Sequence, residues 1–384
     1  APYGSWLIHN QVDAIVAKAL QMRECEVLVV GCDGLYGQDC CTLVYTADEY
    51  KAQSCRDCSK SGEQFFSSSF QLPYHQLSHW IAADDRKLSQ QWVEAIDSAT
   101  YATACYREVP IGKWVTSSIY THFRISQKGL SRPDVRQVHQ RYLADGLVTY
   151  QAVDRLLEAY QPDTLFLFNG RFLPYRIAFE AARQRQIDTI VHERGFLAES
   201  FSFFDNQTCM STQPFLDLVE AWKDTPLTQA EVQQVKQYFI NRESGVETSW
   251  PSFYDCTTSY SDVRHKLRIP TDAKILTIFT SSEDELADSK DYQGVTEQLN
   301  IIDRLIEIFK DRSEYLVIRH HPFIGGQQIY QADTAFISRA YRQAQTAPSN
   351  VRVIMPSEAL TSYALLWHSD AALAFFSTVS VEAV

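Results

Sequence analysis

YLVIRHHP, residues 315–322, is a short apolar run that stops on a cluster of cations. A second run, VRVIMP at 351–356, follows it, and ALTSYALLWH at 359–368 then has helical spacing. Asp370 precedes a third run, AALAFF at 371–376, which ends on Ser377 and Thr378. Apolar runs of this length, alternating with helix-like segments, indicate βα units around a buried parallel sheet. Ligands of such sheets bind just beyond the carboxyl ends of the strands, where Arg319, His321, Ser377 and Thr378 all fall. A guanidinium, an imidazole and two hydroxyls beside a helix N-terminus suit a diphosphate or phosphodiester. Glu382, on the first turn of the next helix, comes within reach of a sugar hydroxyl.

Upstream, residues 274–279 predict the first strand of this layer, and 298–310 an amphipathic helix with Leu299, Ile302, Leu305, Ile306 and Phe309 inward. The same layering recurs earlier. TLFLF at 164–168 predicts a buried strand ending on Asn169, Gly170 and Arg171, then a helix over 174–184 and a strand over 188–191 ending on His192, Glu193, Arg194 and Gly195. Asn169, Arg171, His192, Glu193 and Arg194 should therefore gather on one rim. Glu193 has the chemistry of a general base, and Arg171 or Arg194 could hold an anion. An Arg–Glu pair that merely bridges two loops is the competing reading. Residues 136–160 predict a long helix, 6–22 a helical stripe, and 74–80 and 87–105 two more helices; 59–69 is a polar, serine-rich excursion. Residues 114–125 mix β-formers with polar residues and fit a strand or a helix. Residues 201–213 are irregular, and the helices expected at 215–222 and 228–240 form an interdomain connection.

The cysteines form a pattern, Cys32, Cys40, Cys41, Cys55 and Cys58, with Cys55 and Cys58 in C-x2-C spacing. Thiolates so spaced can grip one tetrahedral ion, and a second pair would complete a structural zinc site from Cys32, Cys40, Cys55 and Cys58. Free buried thiols, or a redox pair or iron–sulfur cluster, are the other readings. A closed four-thiolate site would pin the chain and do no chemistry. No secretory signal is visible, which argues against disulfides.

A chain of 384 residues has ample core for two domains. A formal charge of −12 argues against nucleic acid as a partner, though not against a nucleotide held by a few local cations. No apolar run approaches the roughly 20 residues of a membrane span, so no transmembrane segment is expected; peripheral membrane association stays open. The start at Ala1 without Met, and the stop at Val384 inside an expected helix, lead us to expect a fragment.

Arg319-His320-His321-Pro322, Asp370 and FFSTVSVEA at 375–383 together resemble the C-terminal domain of GT-B fold glycosyltransferases, in particular capsule polysaccharide biosynthesis enzymes. The resemblance implies an α/β chain of two Rossmann-like domains, an acceptor-side domain over 1–245 with a cysteine-rich insertion and a donor-binding domain over 246–384, truncated at its C-terminus. It gives His321, Ser377 and Thr378 to the donor's phosphates and Glu382 to its ribose. The Asn-Gly-Arg and His-Glu-Arg-Gly exits also resemble the acceptor domain of such enzymes, and His9, behind the first strand, becomes a candidate base. The implied function is transfer of a sugar from a nucleotide-sugar donor to a polysaccharide or glycolipid acceptor in the cytoplasm. No catalytic cofactor is implied, and the sequence has no Asp-x-Asp metal motif. The alternatives are transfer of a polyol phosphate from a CDP-linked donor, a sugar-nucleotide 2-epimerase, and a non-catalytic binding subunit organised by zinc.

Overall fold

The structure, a computed structural model, describes residues 3–40, 42–44, 46–195, 197, 199–244, 263–287, 298–326, 334–375 and 377–383. Cys41, Phe376 and the expected boundary at 245/246 lie outside them. The chain packs as two units, Ala1–Arg194 with Phe201–Pro214, and Gly195–Ser200 with Phe215–Val384. Both are mixed α/β with parallel strand pairs.

The first unit runs α1 (Leu7–Gln21), β1 (Val29–Gly31), α2 (Asp48–Glu63), β2 (Tyr74–Gln76), α3 (Asp85–Glu94), α4 (Ile111–Phe123), α5 (Pro133–Tyr160), β3 (Thr164–Phe168), α6 (Leu173–Gln184), β4 (Asp188–Arg194) and β5 (Phe201–Asp205). Its core is helical. Leu143, Leu147 and Leu157 of α5 are fully buried, as are Ile111 and Ile119 of α4 and Ile177 of α6. Each such side chain contributes about 1.5–3 kcal/mol on burial. Asp85 of α3 takes both terminal nitrogens of Arg155 on α5, at 2.6 and 2.7 Å, which fixes these two helices.

Several local expectations change here. Residues 74–76 are a strand because they pair in parallel with β1, and the Tyr74 hydroxyl fills the space a Cβ at Gly31 would need. The serine-rich stretch 64–69 is a π-helical turn continuing α2, not a loop. Residues 111–123 resolve as helix. Gly112 starts it close against the preceding 3₁₀ turn: a Cβ there would stand 2.1 Å from the Tyr101 carbonyl. Residues 201–205 form a strand, because β5 turns back antiparallel on β4 with Phe203 opposite His192. That pairing draws His192, Glu193 and Arg194 out of the expected turn and into the strand.

The second unit carries α7 (Gln213–Trp222), α8 (Gln229–Glu243), α9 (Val263–Lys266), β6 (Ile275–Phe279), α10 (Glu283–Leu286), α11 (Gln298–Phe309), β7 (Tyr315–Arg319), α12 (Thr334–Thr346), β8 (Val351–Ile354), α13 (Ser362–Trp367), β9 (Ala371–Ala374) and α14 (Val379–Glu382). α8 opens on a capping box, with Thr228 and Glu231 bonding each other's backbone N–H. The sheet is all parallel, in the order β8-β7-β6-β9. Strand alternation sends Leu316 and Ile318 to a face covered by Leu299, Ile302 and Phe309 of α11 and Phe336 of α12. Val317 faces the other way, with Ala364 and Leu365 of α13. Burial on both faces is why these strands read as continuous apolar runs.

Candidate functional site

Strand order places the first candidate site. β6, β7 and β8 progress in one direction, and β9 then returns to the other side of β6. The loops after β6 and β9 therefore diverge, which is the crevice where open α/β sheets bind ligands. Ser377 and Thr378 follow β9 directly, and Thr280, Ser281 and Ser282, all buried, follow β6. Arg319 lies opposite Phe279, which lies opposite Ala374, so the tips of β7 and β9 stand two strand spacings apart, about 10 Å.

Around this edge the predicted residues separate. The backbone N–H of His321 donates to Thr280 Oγ1 at 2.8 Å, which ties it toward the crevice. Its Nδ1 accepts from the Phe323 N–H at 3.2 Å, capping the 3₁₀ turn Pro322–Gly325. Arg319 turns the other way. It is buried and donates to the carbonyls of Met355 (2.8 Å) and Glu358 (3.3 Å), beyond β8. Ser377 Oγ meets the Val379 N–H at 3.4 Å. Glu382 is in an ion pair with Arg242 of α8 at 2.6 Å, and Arg242 also donates to the Tyr363 hydroxyl at 3.0 Å. Asp370 does not reach the edge: it sits at the start of β9, bonded to Lys274 and the Ile275 N–H. His320, between the two predicted residues, points into the core.

The second candidate site is the rim of β3 and β4 in the first unit. Asn169, held at φ 64°, donates from Nδ2 to Glu193 Oε2 at 2.5 Å, and its Oδ1 accepts from the Arg171 N–H at 3.0 Å. Glu193 Oε1 accepts from the Arg194 N–H at 2.9 Å. Burial raises the Glu193 pKa above the usual carboxylate range. Arg171 is buried and donates to Ser117 Oγ (2.9 Å) and Thr121 Oγ1 (2.8 Å), one turn apart on α4, while Ser118 Oγ accepts from the Leu173 N–H. The β3 exit is thus clasped onto α4.

His9 lies beneath this rim. Its ring stacks on Phe168 at 3.7 Å and lies 5.9 Å from the ring of His192. Burial first, then the charges of His192 and Arg194, lowers its pKa to about 3. His192, expected on the rim, is instead fully buried, because its Nε2 turns inward to Asp13 Oδ1 at 2.7 Å and its ring stacks on Phe166. This Asp13–His192 pair was missed by the sequence reading. Asp13 lies one helical turn after His9, the single signal pointing to it.

The four cysteines line one small cavity in the first unit, with Tyr3, Gly34, Tyr36 and Ser59 among its other walls. None forms a disulfide. Among the described residues no group of three or more His, Cys, Asp or Glu side chains converges as a metal site, and no helix is long and apolar enough to cross a membrane.

No family model and no curated protein matches the chain. A solved structure designated a UDP-N-acetylglucosamine 2-epimerase, from Listeria monocytogenes, aligns with 62% of this chain and 58% of its own length, at 14% identity and a TM-score of 0.26. That likeness is too slight to fix fold or function.

Proposed function

We propose that the protein is a nucleotide-sugar-dependent glycosyltransferase acting on a polysaccharide or glycolipid acceptor, with the donor's phosphates bound at the carboxyl edge of β6, β7 and β9. One observation carries the reading: His321, tied to Thr280, and the hydroxyls of Ser377 and Thr378 flank the point where the strand order reverses. Transfer needs a base for the acceptor hydroxyl and donors for the leaving phosphate. His321 and the two hydroxyls supply the donors. Arg319, spent on two carbonyls, shapes the β8 exit instead.

On the acceptor side, Glu193 is the better base. Burial raises its pKa and so its proton affinity, whereas His9 at about 3 has too little. His9, neutral and stacked on Phe168, positions the rim. Asn169 orients the carboxylate, and Arg171, anchored on α4, fixes the turn that carries Asn169. Arg194 follows as the cation for an anionic acceptor.

Calorimetric titration with UDP, GDP and CMP, followed by slow hydrolysis of the matching sugar nucleotide, tests this. His321→Ala should weaken binding at least about tenfold, ~1.4 kcal/mol, while Glu193→Gln should keep binding and lose hydrolysis. Unchanged affinity in His321→Ala sinks the donor placement. CMP release from CDP-glycerol would transfer the assignment to polyol phosphate chemistry, and sugar interconversion without an acceptor to an epimerase.

A further inference from the structure

Two segments of the first unit bring four cysteines to the wall of one cavity. Cys32 follows β1, Cys40 caps the 3₁₀ turn Gly37–Asp39, and Cys55 and Cys58 sit three residues apart on one face of α2. All four line the same cavity, whose free room is about that of one water molecule or one ion. No Lys or Arg is among its walls. The loop comes in close: Gly34, at φ 95°, passes so near that a Cβ there would lie 3.5 Å from Cys55 Sγ. The thiols now answer hydroxyls and backbone. Cys40 Sγ is 3.1 Å from Thr42 Oγ1, and Cys58 Sγ accepts from the Ser5 N–H at 3.3 Å. They do not yet point at a common centre, and rotation about the Cα–Cβ bonds would be needed to bring them there.

We propose that Cys32, Cys40, Cys55 and Cys58 form a tetrathiolate site for one Zn²⁺ that pins the 32–40 loop to α2. A cavity with room for one ion, lined by four cysteines from two segments, none of them in a disulfide, and by no cation, matches a closed structural zinc site in ligand type and number. On binding, the four S–H bonds break, four Zn–S bonds form, and four protons leave to solvent. No oxidant is involved. The site does no chemistry, and its role is independent of whether the second unit binds a nucleotide.

The full chain, purified without chelator and desalted, is assayed for metal by elemental mass spectrometry and titrated with Co²⁺ after metal removal. The expected result is one zinc per chain and the intense sulfur-to-cobalt absorption of a tetrahedral thiolate site. Chelator should make four thiols newly reactive to a thiol reagent. Cys55→Ser with Cys58→Ser should lose the metal. If that variant fails to fold, the cobalt spectrum of the unmodified chain decides alone. Substoichiometric zinc with no thiolate–cobalt absorption overturns the proposal, as does a non-reduced mass showing disulfides among these four residues.

Discussion

Acidification from pH 7.5 to 5 should destabilise the second unit through one side chain, His320. Its imidazole is fully buried, neither ring nitrogen has a hydrogen-bond partner, and the ring meets Phe336 edge-on at 5.3 Å. Burial, assisted by the adjacent Arg319 guanidinium, lowers its pKa from 6.5 to about 3. The unfolded chain takes up this proton below about pH 6.5 and the folded chain not until about 3, so the unfolded state binds more protons across that window. Stability therefore falls as pH drops through it. At pH 5 the gap is about 1.5 units at 1.36 kcal/mol each, or about 2 kcal/mol. That is a large share of a typical ~5–15 kcal/mol. His320→Leu removes the titrating group and leaves an apolar side chain in an apolar place. Urea denaturation at both pH values, with amide exchange read on β6 and β7, measures the effect. The original chain should lose about 2 kcal/mol more than the variant between the two conditions. Equal pH dependence in the two would refute the reasoning.

Asp13→Ala should leave the buried His192 Nε2 without its 2.7 Å partner, at a cost of about 1–3 kcal/mol, seen as a lower urea midpoint; an unchanged midpoint would mean that the pair has no structural role. Ser117→Ala removes the acceptor of Arg171 Nε. A buried charged donor then goes unanswered, so about 1.5–3 kcal/mol should be lost, with faster exchange at the β3 exit and no change in nucleotide affinity.

The strands of the second unit were legible because β6, β7 and β8 are buried on both faces, and that burial demands unbroken runs of Val, Ile and Leu. The long α5 was legible from its stripe. What stayed hidden depends on partners far away in sequence. β5 exists only by pairing with β4, and Asp13 finds His192 179 residues away. Residues 114–125 were ambiguous because Thr116, Ser117, Ser118 and Thr121 favour strands or caps on propensity. In α4 they are tolerated by bonding inward, Thr116 to the Gly112 carbonyl and Thr121 to the Ser117 carbonyl. Ser117 and Thr121 gain a further use in holding Arg171. The order of the two histidines was readable only in part: alternation along β7 buries His320 and leaves His321 at the edge.

The same cause explains why cations at strand exits overstate an anion site. Arg319 and Arg171 both stand where a phosphate-binding group should, and both are buried, where a guanidinium needs acceptors to offset its desolvation. Each has drawn acceptors from the protein itself, Arg319 from two carbonyls and Arg171 from two hydroxyls of α4. Glu382 repeats the pattern with Arg242. A ligand would have to replace these bonds at the cost of the loops they shape. Phosphate recognition at this edge, as proposed, rests on His321, whose backbone N–H is held by Thr280 and whose Nδ1 accepts from the Phe323 N–H, so that internal bonds fix where its ring stands.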